Sequence, residues 1–270
     1  MKLKKTFSFI DKNQIWRLLI SESDKLLIET RDLENKEVFF NYIDLNTGKS
    51  ILKNFQLEEK FWIGIEKIYK EKMIFHHYAK PNMPEHKKII VYDIFQNQII
   101  WQNDDLVFLT IFDDKIYAIK KKFEGREIYI LDINSGEIIG NVENEDDKLK
   151  SVLENVNFED YSDYKYPETY YNDEQTNDEI ISKETKGNCN ITNIDKLQFG
   201  DLLMFNYHVK KENNSLDNMF AVYNIEKKKK VISEILNKNL NSYSPDSFFC
   251  YKNNLIVLKN KIELFSYKIV

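Results

Sequence analysis

A chain of 270 residues with 42% apolar and 31% charged side chains carries enough apolar material for one large or two small folded domains, which excludes general disorder. The net charge of -5 is uneven, because residues 143–179 hold thirteen acidic side chains against three lysines, a local balance of -10. Only three of the 39 basic residues are arginines (Arg17, Arg31 and Arg126), so planar bidentate phosphate recognition is unsupported and nucleic acid is not an expected partner.

The predicted elements are strands, in keeping with the 14% aromatic content. A spare apolar strand at Leu3–Ile10 comes first. A unit of four period-2 strands follows, over approximately Trp16–Ser21, Lys25–Asp32, Glu37–Leu45 and Lys49–Phe55. Similar units occupy residues 61–103 and 106–142. Another fits 189–236, and 244–270 has room for only three strands.

Two recurrences tie these units together. A polar turn precedes an apolar strand at Lys25, Lys72, Lys115, Asp201 and Asn254, with spacings of 47, 43, 86 and 53. Later in each unit a strand ending in Asp or Asn runs into a hairpin: YIDLNTGK, VYDIFQNQ, ILDINSGE and VYNIEKKKK. The markers Asp44, Asp93, Asp132 and Asn224 are read as structural, since their side chains can accept backbone N–H bonds in the turn. Gly48, Asn97, Gly136 and Lys228 take the left-handed position. Units of roughly 40 to 45 residues with four antiparallel strands are propeller blades. The expected fold is therefore an all-β propeller, a single domain over 1–270, whose N- and C-terminal strands share the last blade and remove an exposed sheet edge.

Residues 143–188 interrupt the repeat. Leu149, Val152, Leu153 and Val156 follow helical spacing and predict a short helix near 147–156. The rest of the segment is acidic and Tyr-rich. Read as an insertion it leaves five blades, and read as a degenerate blade it makes six.

No run approaches the roughly 18 apolar residues of a membrane span, so no membrane partner and a cytoplasmic location are expected. Cys189 and Cys250 lack metal-site spacing and are expected to be reduced.

Three of four histidines, His76, His77 and His86, fall in one hairpin, FHHYAKPNMPEHKK. Neighbouring strand residues face opposite sides, so only one of His76 and His77 shares a face with His86. A metal would then need an Asp or Glu from elsewhere, and neither metal nor cofactor is expected. Together with Tyr78, Lys80 and Glu85 this is the chemically densest loop and the first candidate binding surface. The second is the insert, where Tyr166, Tyr170 and Tyr171 alternate with carboxylates suited to a cationic or sugar-like ligand. Phosphate-cradling and nucleophile motifs are absent. Glu66 is a candidate carboxylate for channel chemistry, and no catalytic residue is assigned.

The YIDLNTGK and ILDINSGE turns resemble those of quinoprotein-type and WD-type propellers. The segments WRLLIS, ETRD, FNYIDLNTGK, FWIGIE, FHHYAKPNMPEHKKIIVYDI and FEGREIYILDINSGE are similar to an uncharacterised bacterial family, number 4905 in the domain-of-unknown-function series, over most of residues 14–140. This resemblance implies a propeller-like scaffold without an assigned activity. The expected function is non-enzymatic binding of a protein or small-molecule ligand. The alternative is a hydrolase of sugars or related small molecules using channel carboxylates about 5 to 10 Å apart.

Overall fold

The computed structural model of the chain describes residues 1–79, 83–142, 147–157, 161–171, 179–186 and 191–270. In chain order, β1 (Leu3–Ile10) precedes a meander of β2 (Gln14–Ile20), β3 (Lys25–Asp32), β4 (Glu37–Asp44) and β5 (Ser50–Phe55). A second meander contains β6 (Ile63–Tyr69), β7 (Lys72–Tyr78), β8 (His86–Asp93) and β9 (Gln98–Asn103). A third contains β10 (Val107–Phe112), β11 (Lys115–Lys121), β12 (Arg126–Asp132) and β13 (Ile138–Val142). The interrupting segment gives helix α1 (Asp147–Asn157), β14 (Tyr164–Lys165), β15 (Glu168–Tyr171) and helix α2 (Glu179–Thr185). A fourth sheet is built on β16 (Ile191–Phe199), β17 (Leu202–Lys210), β18 (Leu216–Asn224) and β19 (Lys229–Leu240). The fifth uses β20 (Phe248–Tyr251), β21 (Asn254–Lys259) and β22 (Glu263–Ile269).

These five antiparallel sheets are the blades of a β-propeller fold. The chain forms two compact units: Met1–Ile15, Leu45–Lys49 and Tyr161–Val270 in one, Trp16–Asp44 and Ser50–Asp160 in the other. Among the described residues no helix is long and apolar enough to cross a membrane.

The one strand missing from the last unit is supplied by the N-terminus. β1 pairs antiparallel with β22 from Leu3 opposite Ile269 to Ile10 opposite Glu263, as expected from the spare strand. The interrupting segment forms no sheet of its own among the described residues. β14 instead extends the fifth sheet beside β20, and β15 extends the fourth beside β16, so the described residues form five sheets. Helix α1 lays Leu149 and Val152 on Tyr117 and Ile128, using the predicted apolar stripe. Helix α2 was not expected from the sequence. It buries Ile181 against Ile194, Phe205 and Ala221, and its Glu184 accepts bonds from Tyr223 Oη at 2.5 Å and Lys230 Nζ at 2.6 Å.

The repeated hairpins follow the backbone chemistry read from the sequence. Gly48, Asn97, Gly136 and Lys228 all have positive φ, at +72°, +55°, +72° and +49°. Asp132 Oδ1 accepts the amides of Asn134 and Ser135, Asp93 Oδ1 that of Gln96, and Asn224 Oδ1 that of Lys227. These bonds hold the turn, so Asp93, Asp132 and Asn224 are structural. At Gly136 a Cβ would lie 2.5 Å from Trp101 Cδ2, and the same indole donates from Nε1 to Ile133 O at 2.7 Å. Trp101 thus packs one blade onto the next, whereas Trp16 is half exposed under the Arg31 guanidinium.

The two faces of the second blade go into different cores. Ile65, Met73, Phe75 and Ile90 pack with Leu27, Phe40 and Tyr42 of the first blade, and the Phe40 and Phe75 rings meet edge-on at 5.0 Å. Ile74, Ile89 and Val91 pack with Ile111, Ile116, Ala118 and Leu131 of the third. Each such fully buried side chain contributes about 1.5 to 3 kcal/mol, so both faces are firmly specified.

Candidate functional site

On β7, Ile74, His76 and Tyr78 alternate with Met73, Phe75 and His77, so His76 belongs to the face turned to the third blade. Two irregularities add neighbours to it. Ile65 pairs with Phe75 and Lys67 with Ile74, which makes Glu66 the extra residue of a β-bulge. In β8 the register also slips between the pairs Phe75–Ile90 and His77–Lys87, where Lys88 has a φ of +63°. This second bulge shifts the alternation, so that His86 stands opposite Tyr78 and shares its face.

The result is a compact group of one carboxylate and two imidazoles. Glu66 Oε1 lies 2.8 Å from His86 Nδ1 and 2.9 Å from His76 Nδ1. The two imidazole rings stack, with centroids 3.5 Å apart and planes 9° from parallel. Tyr78 meets both rings edge-on, at 5.1 Å from His76 and 5.6 Å from His86, and its other neighbour is Trp62 at 6.4 Å. His76 rests on Gly64, where a Cβ would fall 2.8 Å from its Cε1 and Nε2. Only glycine leaves room for the ring there.

Burial grades outward through the group. The His76 side chain is 1% exposed, that of Glu66 15% and that of His86 33%. Desolvation therefore holds His76 below its ordinary pKa, against the opposing pull of Glu66. Burial also works to raise Glu66, but the close approach of the His76 and His86 rings outweighs it and leaves the carboxylate below its ordinary value. The group at neutral pH thus contains a carboxylate anion and a neutral His76. His86 is hydrogen-bonded to Glu66, yet both ring nitrogens of His76 lack a hydrogen-bond partner despite the short approach of Oε1 to Nδ1. Distance alone is met there, and the N–H direction is not.

A second buried ionic group lies on β3, in the same compact unit. Glu29 is fully buried and held by Arg31 at 2.7 Å, with Arg17 Nε at 3.9 Å. Arg31 also donates to Ile63 O at 2.8 Å and Phe61 O at 3.2 Å, and Arg17 to Ile65 O at 2.5 Å, beside Glu66. Glu29 and His76 occupy the same repeat position, four residues after the turn markers Lys25 and Lys72.

Residues 20–101 match the model of a domain of unknown function, DUF4905. The DUF4905 stretch contains Glu29, Arg31, Glu66, His76, Tyr78 and His86, which places both buried polar groups inside it. Similar solved structures are propellers. The structure of the Dos1 propeller is matched over 94% of this chain and 67% of that one, at 10% identity and a TM-score of 0.32. The β-propeller domain of the Trilobed protease from Pyrococcus furiosus, described as having an open velcro topology, is matched over 96% and 69%, at 11% identity and a TM-score of 0.34. KlHsv2 carrying a Gly-Ser linker in place of loop 6CD is matched over 92% and 75%, at 10% identity and a TM-score of 0.30. No curated protein matches the sequence.

Of the binding residues read from the sequence, the structure gathers His76, Tyr78 and His86 and adds Glu66. His77 turns to the opposite face, where burial lowers its pKa and Lys88 adds to the effect. Glu85 forms an ion pair with Lys121 of the third blade. Lys80 and the side chain of Tyr171 lie outside the described part. Tyr166 is exposed and stacks near Tyr164 and Phe249, with centroids at 6.0 and 5.8 Å, while the Tyr170 hydroxyl donates to Glu168 at 2.8 Å. The sequence reading requires an Asp or Glu from elsewhere for any metal, and the bulge at Glu66 brings a carboxylate to the two histidines.

Proposed function

We propose that the chain is a non-enzymatic, cytoplasmic binding propeller whose ligand engages the end of the second blade around His86, Tyr78 and Glu66. The observation that carries this reading is the buried imidazole of His76, whose two nitrogens are left without hydrogen bonds beside the one-third exposed ring of His86. An unsatisfied buried polar group costs about 1 to 3 kcal/mol, and a site that tolerates such a cost is a candidate for function rather than packing. Glu66, the carboxylate named for the hydrolase alternative, is engaged by two imidazoles at 2.8 and 2.9 Å, which favours recognition over acid–base work on a sugar.

The test is a comparison of wild-type protein with His86→Ala in an untagged co-purification from the native host, alongside a thermal-shift panel of small molecules. A ligand or partner retained by wild type and lost by the variant supports the reading. Equal retention by both proteins overturns it.

A further inference from the structure

We infer that Glu66, His76 and His86 form a binding site for one divalent transition-metal ion of the zinc class. The inference rests on the binding reading above and names the chemical class of its ligand. One ligand atom from each residue is available, and these atoms all lie within 4.8 Å of one another. Two imidazole nitrogens and a carboxylate oxygen are a donor set that zinc and its neighbours accept with a fourth position left open. His76 supplies the independent observation. It is 1% exposed, its Nδ1 faces Glu66 Oε1 at 2.9 Å, and it has no hydrogen bond to give up on binding. Coordination would thus give a partner to a nitrogen that the metal-free fold leaves unsatisfied.

The geometry also says what must move. Metal–donor bonds of 2.0 to 2.1 Å at tetrahedral angles separate donors by about 3.3 Å, so the contacts of 2.8 and 2.9 Å around Oε1 must open by about half an ångström. Rings lying 9° from parallel at 3.5 Å point their in-plane lone pairs side by side, and one ion reaches both only after one ring turns. His76 is packed on Gly64, whereas His86 is one-third exposed and begins its strand, so His86 is the ring that turns. The site is a cluster of ligands on three adjacent strands, and a pre-formed scaffold of this kind needs only one rotamer change to bind.

The experiment uses untagged full-length protein stripped with EDTA and titrated with zinc by calorimetry, with cobalt absorption as a second readout. Wild type is expected to bind one equivalent and to develop visible cobalt bands of low coordination number. Glu66→Gln and His86→Ala are each expected to weaken binding by at least about tenfold. His86 is the safer of the two to change, because it sits at a strand end. No one-equivalent binding by wild type, or binding unchanged in both variants, overturns the inference. Loss of partner capture in His86→Ala with no metal binding would remove the metal and keep the recognition site. Metal binding with unchanged partner capture would do the reverse.

Discussion

Replacing Gly136 by alanine tests whether the repeated hairpin is fixed by contact with the neighbouring blade or by backbone conformation alone. The φ of +72° costs an L-residue about 1 to 2 kcal/mol. The new Cβ would also lie 2.5 Å from Trp101 Cδ2. Relief requires the indole to shift, which endangers its 2.7 Å bond to Ile133 O, worth about 1 kcal/mol, and repacks a filled contact at about 1 to 3 kcal/mol. The expected loss is about 3 to 6 kcal/mol. Gly125→Ala is the control, since Gly125 has a φ of +93° with no atom within 4 Å of its virtual Cβ, and its loss is backbone strain alone. Urea unfolding followed by tryptophan fluorescence gives both values, with an unchanged slope confirming the same transition. A difference of less than about 0.5 kcal/mol between the variants would refute the packing argument.

Glu29→Ala strands the buried Arg31 guanidinium and should cost about 3 to 5 kcal/mol in the same assay; a cost below 1 kcal/mol would mean that water reaches the pair. His208 is fully buried, burial lowers its pKa, and its Nε2 accepts the Ser244 amide at 3.3 Å, a bond that only the neutral ring can accept. A depressed histidine leaves the unfolded chain holding the extra proton, so its contribution to stability is intact above the ordinary value of about 6.5 and is lost as pH falls through that value toward the folded one. His208→Gln should therefore flatten the fall in stability between about pH 7.5 and 5.5 relative to wild type, and parallel curves would contradict the assignment. Deleting residues 1–10 removes the partner of β22 and exposes its edge, so size-exclusion chromatography should show self-association or loss of soluble protein, with a stable monomer as the contrary result.

The blades were readable because strand alternation, turn chemistry and repetition agree. Lys25, Lys72, Lys115 and Asn254 each begin a strand and Asp201 directly precedes one, and β3 spans the predicted Lys25–Asp32. Closure was readable from a count, since three strands at one end and one at the other complete a sheet. The histidine hairpin was visible as a concentration of unusual residues, and strict alternation correctly separated His76 from His77. What the sequence concealed was the pair of bulges. An extra residue at Glu66 and a left-handed Lys88 alter the facing of their strands, and neither residue type announces this, because lysine and glutamate are ordinary in regular strands. The one available signal was an ionisable residue at the same repeat position in consecutive units, Glu29 and His76, each directly after a run of three apolar residues. Helix α2 was missed because its seven residues carry too few turns to show a periodic face.

The union of β1 with β22 sets the order in which the chain can assemble. Lys2 and Val270 exchange backbone hydrogen bonds of 2.6 and 3.0 Å, so partners lying at opposite ends of the sequence must meet before the fifth sheet is whole. Bringing together the ends of a segment this long costs about 5 kcal/mol in chain entropy beyond the fixed part of closure, whereas each hairpin within a meander forms locally. The fifth sheet is accordingly expected to form last. A circular permutant that joins the two ends through a short linker and opens the exposed turn at residues 122–125 converts that pairing into a neighbouring hairpin, and it should refold faster than the natural order with little change in blade structure.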